Sequence, residues 1–310
     1  MAETVVAFAL MVIGAYLMKR KGVFKQEDGA LFAELLTQVV LPATIFYQLW
    51  KHPLSSAILA PVLIMFLSAV AALLLSWLVG RVLRFDQPSI GALMIVSSFG
   101  SSALIGYPII EYAFPGKPDA LANGIAISEL GVGLPIFILC PAVAMYFGGT
   151  FKGLADLREL VKNYFLSPIF LAVILGLIMS QLDLPSDMIL IATLREALHM
   201  MQGALVVIAA VILGIQLSFE SPHGLWKLIV VSLLVQMLFQ PWLNAVMADT
   251  LKVSLENRQL LVLIGAMPAA ILGPVFAARY ACAAHTTALL TFTHIVVSPV
   301  VIPAVFAWFV

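Results

Sequence analysis

Apolar residues run through this chain in long blocks, separated by short polar or charged connections. The blocks lie near residues 3–18, 29–50, 54–80, 88–114, 119–147, 166–182, 198–218, 224–248, 257–280 and 284–309. Most are close to the roughly 20 apolar residues that a helix needs to cross a bilayer. They lack the alternation of barrel strands, and backbone groups in lipid must be satisfied within the chain, so the blocks are expected to be helices. The pattern predicts an all-α integral membrane protein with about ten transmembrane helices. No basic stretch precedes the first block, and the lysines follow it, which predicts a first span rather than a cleaved leader.

Composition sharpens this reading. Of 310 residues, 63% are hydrophobic and 10% are charged. Soluble domains carry about 25% charged residues, and a soluble fold of this length has no interior large enough to hide so much apolar surface. Lys+Arg and Asp+Glu both number 16, so no basic excess points to nucleic acid. Cys140 and Cys282 each sit in an apolar run and form no metal-spaced pair, so both are expected to be free buried thiols. With the N-terminus outside, 11 Lys and Arg fall in inner connections, among them Lys19, Lys21, Arg81, Lys152 and Arg279. The outer connections hold 5: Lys51, Lys117, Arg195, Lys252 and Arg258. That bias predicts that both termini are non-cytoplasmic in a multi-pass protein of the cell membrane.

The most polar connection, residues 148–167, carries Lys152, Asp156, Arg158, Glu159 and Lys162 and is expected to form a short cytoplasmic surface helix. It divides the chain into residues 1–150, a connecting segment 151–165, and residues 166–310, with about five spans on each side. The halves look related. Pro141-Ala142-Val143-Ala144 closes the fifth block and Pro303-Ala304-Val305-Phe306 the tenth, at an offset of 162, while Pro108 and Pro268 differ by 160. An odd number of spans per half inserts the halves in opposite orientation, the inverted-repeat plan of many secondary transporters.

Candidate chemistry concentrates in the fourth and ninth blocks. Residues 97–108 hold four serines, two glycines and Pro108, and residues 265–274 hold Gly265, Pro268, Gly273 and Pro274 among small residues. Proline removes a backbone donor and glycine makes opening a helix cheap. Paired interruptions in corresponding spans point to a transporter binding site; the alternative is two proline kinks packed through small residues. The exposed N-terminus of a half-helix offers partial positive charge and free N–H groups, so it can hold a carboxylate without a buried Lys or Arg. Further polar groups at membrane depth are Gln48 in the second block beside Pro42, Gln202 in the seventh, and Gln236, Gln240 and Asn244 in the eighth. Gln202 is read as joining helices; Gln240 and Asn244 either line a solute path or join helices. Glu129, an ionisable group inside a span, is the candidate for proton or ion coupling. His294 is read as a hydrogen-bonded packing histidine.

These features resemble the auxin efflux carrier family, which includes the plant PIN carriers and bacterial malonate or malate permease-like proteins. The resemblance rests on Leu41-Pro42-Ala43, on Gly100-Ser101-Ser102-Ala103-Leu104-Ile105-Gly106-Tyr107-Pro108, on Met267-Pro268-Ala269-Ala270 through Arg279-Tyr280, and on Ser298-Pro299. The family's fourth-span pattern is similar to Gly-Asn-x-Gly-x-x-Gly-x-Pro; Gly100, Gly106 and Pro108 fit it, while Ser101 stands in place of Asn and Ala103 in place of Gly. The resemblance implies ten helices as two inverted five-helix repeats, with helices four and nine broken and crossing at Tyr107-Pro108 and Met267-Pro268. It also implies a scaffold domain and a transport domain that moves as an elevator. The expected solute contacts are Ser101, Ser102, Tyr107, Pro108, Met267, Pro268, Ala269, Pro42, Gln240 and Asn244.

The function expected is therefore secondary transport of a small organic anion, of the malonate, malate or auxin type, with no cofactor and no metal. A homodimer is left open. An intramembrane enzyme would need a nucleophile–base pair, a metal site or paired aspartates, and the sequence shows no such motif. No phosphate-binding loop for a primary pump is present. A sensor that keeps a carrier fold without transporting stays open from sequence. The scarcity of buried carboxylates argues against a sodium site of several acidic ligands and favours proton coupling or uniport.

Overall fold

The computed structural model describes residues 2–54, 56–117, 119–182, 188–216 and 225–310. Residue 55 of the third block, residues 217–218 of the seventh and residue 224 of the eighth lie outside the described residues. Among the described residues the chain is helical, and its paired extended backbone is a single antiparallel bridge. The described residues of the ten apolar blocks fall mostly on helices or runs of helical segments, with non-helical gaps in the fourth and ninth. Five runs are long and apolar enough to cross a membrane, namely Ser56–Val82, Ala120–Phe147, Ile189–Ile215, Trp226–Thr250 and Ala284–Phe309. The pair Leu154–Phe165 and Pro168–Met179 passes the same test when joined as one span.

The chain folds into two compact units, each drawing segments from both halves of the sequence. The first comprises Met1–Ser56, Ala103–Ala126 and Phe165–Ser218. It contains α1 (Ala2–Arg20), α2 (Asp28–Leu35), α3 (Leu41–Lys51), α6 (Tyr107–Ala113), most of α7 (Ala120–Ser128), α10 (Pro168–Met179), α11 (Ile189–Gly203) and α12 (Leu205–Gln216). Helices α1 and α12 approach closely, and a Cβ on Gly214 would come within 2.5 Å of Ala15 Cβ and 2.6 Å of Val12 O. Only a residue without a side chain permits that approach, as is usual where helices associate in lipid. Lys19 Nζ donates to Ile215 O at 2.6 Å, so a cation of α1 satisfies an orphan carbonyl at the end of α12. Helix α10 starts where Ser167 accepts from Phe170 N at 3.2 Å and Pro168 takes the first helical position.

The second unit comprises Ala57–Ser102, Ile127–Tyr164 and Phe219–Val310. It contains α4 (Leu59–Val82), α5 (Gln87–Ser98), α8 (Leu134–Phe147), most of α9 (Leu154–Phe165), α13 (Trp226–Leu234), α14 (Gln240–Thr250), α15 (Leu255–Gly265), α16 (Leu272–Arg279) and α17 (Ala284–Phe309). Every residue of α5 from Ile90 to Ser98 is buried, as is every residue of α15 from Leu260 to Gly265. Helices buried on all sides occupy the centre of a unit, and these are the two whose chains break.

Four prolines explain a recurring local feature. A five-residue π-helical turn occupies Leu36–Val40, Ser102–Gly106, Glu129–Gly133 and Val235–Phe239. In each case the next helix begins with a residue and then a proline: Pro42, Pro108, Pro135 and Pro241. Proline lacks an N–H and its ring clashes with the carbonyl four residues back. A widened turn, bonded over five residues, removes the clash without ending the helix; Leu41 N bonds Leu36 O and Gln240 N bonds Val235 O in this way.

Candidate functional site: the crossing in the second unit

Helix α5 ends at Ser98 because Phe99 turns extended, with φ −126° and ψ 109°. Helix α15 ends at Gly265, and helix does not resume until Leu272. The two gaps lie side by side. Gly100 and Ala269 form an antiparallel bridge, Ser101 N donates to Pro268 O at 2.7 Å, and Ala270 N donates to Phe99 O at 2.8 Å. Pro268 has no N–H to offer, and the register asks only for its carbonyl. A Cβ on Gly100 would sit 3.2 Å from Gln236 Nε2, 3.2 Å from Met267 Cβ and 3.3 Å from Ile264 O, so the bridge is built around a residue with no side chain.

A row of amides braces both strands. Gln240 Nε2 donates to Ser98 O at 3.2 Å, Gln236 Nε2 to Met267 O at 3.1 Å, and Asn244 Nδ2 to Leu261 O at 2.8 Å. All three side chains are fully buried. Ser98 O and Met267 O lie at the breaks, where an unmade hydrogen bond costs about 1–3 kcal/mol, while Leu261 O lies within α15. Ser102 Oγ hydrogen-bonds Ser128 Oγ, tying the strand to the residue before Glu129. Glu129 opens the π-turn at 129–133 and is buried, and Tyr164 Oη donates to its carbonyl at 3.3 Å. A Cβ on Gly133 would lie 3.2 Å from Glu129 Oε2 and 3.3 Å from Tyr164 Oη, so the carboxylate and the phenol meet over that glycine.

The structure moves one expected feature. The strand opposite Met267–Pro268 is Phe99–Ser101, not Tyr107–Pro108. Tyr107 and Pro108 are buried at the start of α6, inside a helical run that begins at Ser102. The reason is the π-turn at Ser102–Gly106, which accommodates Pro108, while the break falls at the glycine two turns earlier. Of the expected solute contacts, the second unit brings Ser101, Ser102, Met267, Pro268, Ala269, Gln240 and Asn244 to the crossing or its bracing helix. Pro42, Tyr107 and Pro108 belong to the first unit.

Several residues escape sequence reasoning. Gln236 is named from sequence as a polar group at membrane depth, but its contact with Met267 O is visible only in the structure. Ser128 and Tyr164 are visible only through Ser102 and Glu129. In the first unit, Gln48 Nε2 donates to Gln202 Oε1 at 2.8 Å and Gln202 Nε2 donates to Glu111 Oε1 at 3.0 Å. Gln202 thus joins α11 to α3 and α6, as expected, but the carboxylate that ends the chain was not foreseen. His294 Nε2 pairs with Ser232 Oγ at 2.9 Å, a packing contact between α17 and α13.

The sequence model of the family described as Membrane transport protein matches residues 1–147 and 154–304. An uncharacterized transporter of Methanocaldococcus jannaschii is 25% identical over 285 residues, covering 90% of this chain and 89% of that protein. An uncharacterized transporter of Methanothermobacter thermautotrophicus is 25% identical over 279 residues, covering 89% of this chain and 87% of that protein. Both relatives carry the name of transporters, not of enzymes. With the family matched along nearly the whole chain and apolar helices throughout, this multi-pass membrane protein belongs to the membrane transport protein family, that of the auxin efflux carriers.

Proposed function

We propose that the chain carries a small organic anion, a carboxylate of the malonate, malate or auxin type, by elevator-type alternating access. The observation that carries this reading is the crossing itself: two interrupted helices paired at Gly100 and Ala269, inside a compact unit. Interrupted helices at matching places in two halves are the hallmark of inverted-repeat carriers. The reading therefore takes residues 1–150 and 166–310 as two five-span repeats with ten crossings, both termini outside the cytoplasm. The division into two compact units supports an elevator, in which one unit carries the solute while the other stays in place.

The anion is assigned to the side of the crossing that offers donors. Ser101 and Ser102 contribute hydroxyls, and the N-terminus of α16 at Leu272 adds partial positive charge, although Gly273 N is taken by Ala270 O and Pro274 has no N–H. Pro268 and Ala269 shape the opposite strand. Glu129, joined to Ser102 through Ser128, is assigned the coupling proton.

The test is counterflow of mono- and dicarboxylates in proteoliposomes. Uptake of at least one carboxylate is expected, driven by a proton gradient and not by a sodium gradient. Ser101→Ala or Ser102→Ala removes a hydroxyl donor to a charged group, worth about 1.5–3 kcal/mol, so uptake is expected to fall tenfold or more. Absence of counterflow for every carboxylate, with well-folded protein in the membrane, sinks the anion reading.

A further inference from the structure

The two halves of the chain divide between the two units in the same way, except at one place. The offset of 160 to 162 that relates Pro108 to Pro268 and Pro141 to Pro303 carries residues 1–56 onto a segment ending near 218, and both lie in the first unit. It carries residues 57–102 onto a segment ending near 264, and both lie in the second. Residues 127–147 and their counterparts in α17 also share the second unit. Residues 103–126 break the rule: they lie in the first unit, while their counterparts, near residues 265–288, lie in the second.

The exception is a helical hairpin, α6 and the start of α7, and the chain enters the second unit at both of its ends. Before it, the strand at Gly100 and Ser101, paired in the crossing, runs directly into the turn at Ser102–Gly106 and on into α6. After it, Ala120–Phe147 forms one run long enough to span a membrane, of which residues 120–126 fall in the first unit and 127–147 in the second. A helix in lipid has no water to replace the backbone hydrogen bonds that bending it apart would break. The stiffness of the chain therefore ties the hairpin to the second unit.

Side chains fasten it to the first. On α6, Glu111 Oε1 accepts from Gln202 Nε2 of α11 at 3.0 Å, and Gln202 Oε1 accepts from Gln48 Nε2 of α3 at 2.8 Å. Near the tip, Asp119 Oδ1 accepts from His52 Nδ1, just past the end of α3, at 2.7 Å. A carboxylate only accepts, so both contacts join donors of the first unit to a carboxylate of the hairpin. Asp119 is exposed, and a surface pair of that kind contributes little. Gln48 and Gln202 are buried and Glu111 is half-buried, so the amide chain carries most of the hold. Helix α6 also packs on α1, but apolar packing between helices is readily exchanged for lipid.

We infer that residues 103–126 belong to the moving body, and that Glu111, Gln202 and Gln48 form a latch that catches them on the first unit in this conformation. The inference rests on the repeat and elevator reading proposed above. When the second unit moves, the latch opens and the hairpin travels with the unit that its chain continues. The strength of the latch then sets how the two conformations are populated at rest. Glu111 holds the hairpin and takes no part in the solute site.

Spin labels test this without any solute, so the outcome does not depend on which anion is carried. The full-length protein with Cys140→Ala and Cys282→Ala is labelled at pairs of exposed positions. One pair is Pro115→Cys with Glu196→Cys, from the hairpin to α11; the other is Glu196→Cys with Leu251→Cys, from the first unit to the second. Pulsed electron resonance in proteoliposomes reads the distances. Two populations are expected for each pair. Gln202→Glu sets two carboxylates face to face and is expected to move the hairpin pair toward its longer distance by about tenfold or more. Adding Glu111→Gln puts the carboxylate on α11 and an amide on α6, and is expected to return the populations to those of the unaltered latch. Glu111→Gln alone keeps the shape and an acceptor but removes the charge, so a smaller shift in the same direction is expected, a readout that survives if Gln202→Glu fails to fold. A single unchanging distance for the hairpin pair, with two for the other pair, makes the hairpin a fixed part of the first unit and overturns the latch alone. Single distances for both pairs overturn the latch together with the elevator reading. A shift in Gln202→Glu that the exchange does not reverse shows that Gln202 acts through packing and also overturns the latch.

Discussion

At the scale of single residues, the second unit is set by what glycine leaves out. A Cβ on Gly265 would come within 2.6 Å of Asn244 Nδ2 and 3.2 Å of the backbone of Pro241. Gly265→Ala therefore pushes Asn244 off Leu261 O and crowds α14 against α15. Overpacking of this kind costs about 1–3 kcal/mol, and a buried donor is left unpaired besides. Gly203, at the end of α11, has nothing within 4 Å of its added Cβ. There the same change replaces a poor helix former with the best one and is expected to be neutral or to stabilise by up to about 1 kcal/mol. Melting of both variants in detergent separates the cases: a drop of several degrees for Gly265→Ala and none for Gly203→Ala. Equal shifts would show that glycine acts here through backbone propensity and not through contact.

At the scale of elements, proline does something other than break helices. Pro42, Pro108, Pro135 and Pro241 each follow a π-turn, whereas Pro141, Pro299 and Pro303 lie inside regular helix. Replacing Pro241 by alanine restores an N–H and lets the turn at Val235–Phe239 close to α-helix. That change rotates Gln236 relative to Gln240, and one of the two amides must leave its carbonyl at the crossing. Transport by Pro241→Ala is expected to fall at least tenfold at unchanged protein level, while Pro299→Ala changes protein level and transport together. Transport losses of equal size, each tracking expression, would show that the π-turns are passive. The same point explains what the sequence conceals. The cluster of Ser, Gly and Pro at 97–108 marks an interruption in the right segment, and Pro268 marks its partner. The position is misread because proline carries the stronger signal, although the backbone opens at Phe99 and Gly100. Glu111 is hidden for another reason: its partner Gln202 lies 91 residues away, and no local pattern announces the pair.

At the scale of the whole molecule, chain order and compaction divide the protein differently. Chain order suggests two consecutive halves; contacts gather Met1–Ser56, Ala103–Ala126 and Phe165–Ser218 into one unit and the remaining segments into the other. The two divisions are compatible, because each half contributes helices to each unit. Charge predicts an orientation. With the N-terminus outside, 11 basic residues fall in inner connections and 5 in outer ones, and short connections rich in Lys and Arg stay in the cytoplasm. That bias predicts that the amphipathic helix α9 (Leu154–Phe165), with Lys152 just before it and Arg158 and Lys162 within it, lies on the cytoplasmic side. Alkaline phosphatase folds into an active enzyme only after export, so it reports the side of its attachment point. A fusion after Val310 is expected to be active and a fusion at Lys152 inactive. Replacing Arg20, Lys21 and Lys25 by glutamine leaves 8 inner charges (11 minus 3) against 5 and keeps the bias, so the same pattern is expected to survive. Lys19 is left in place because its ammonium bonds Ile215 O, and its loss would mix a packing defect with a topological one. An inactive C-terminal fusion together with an active one at Lys152 would invert the protein in the membrane and overturn the orientation read from charge.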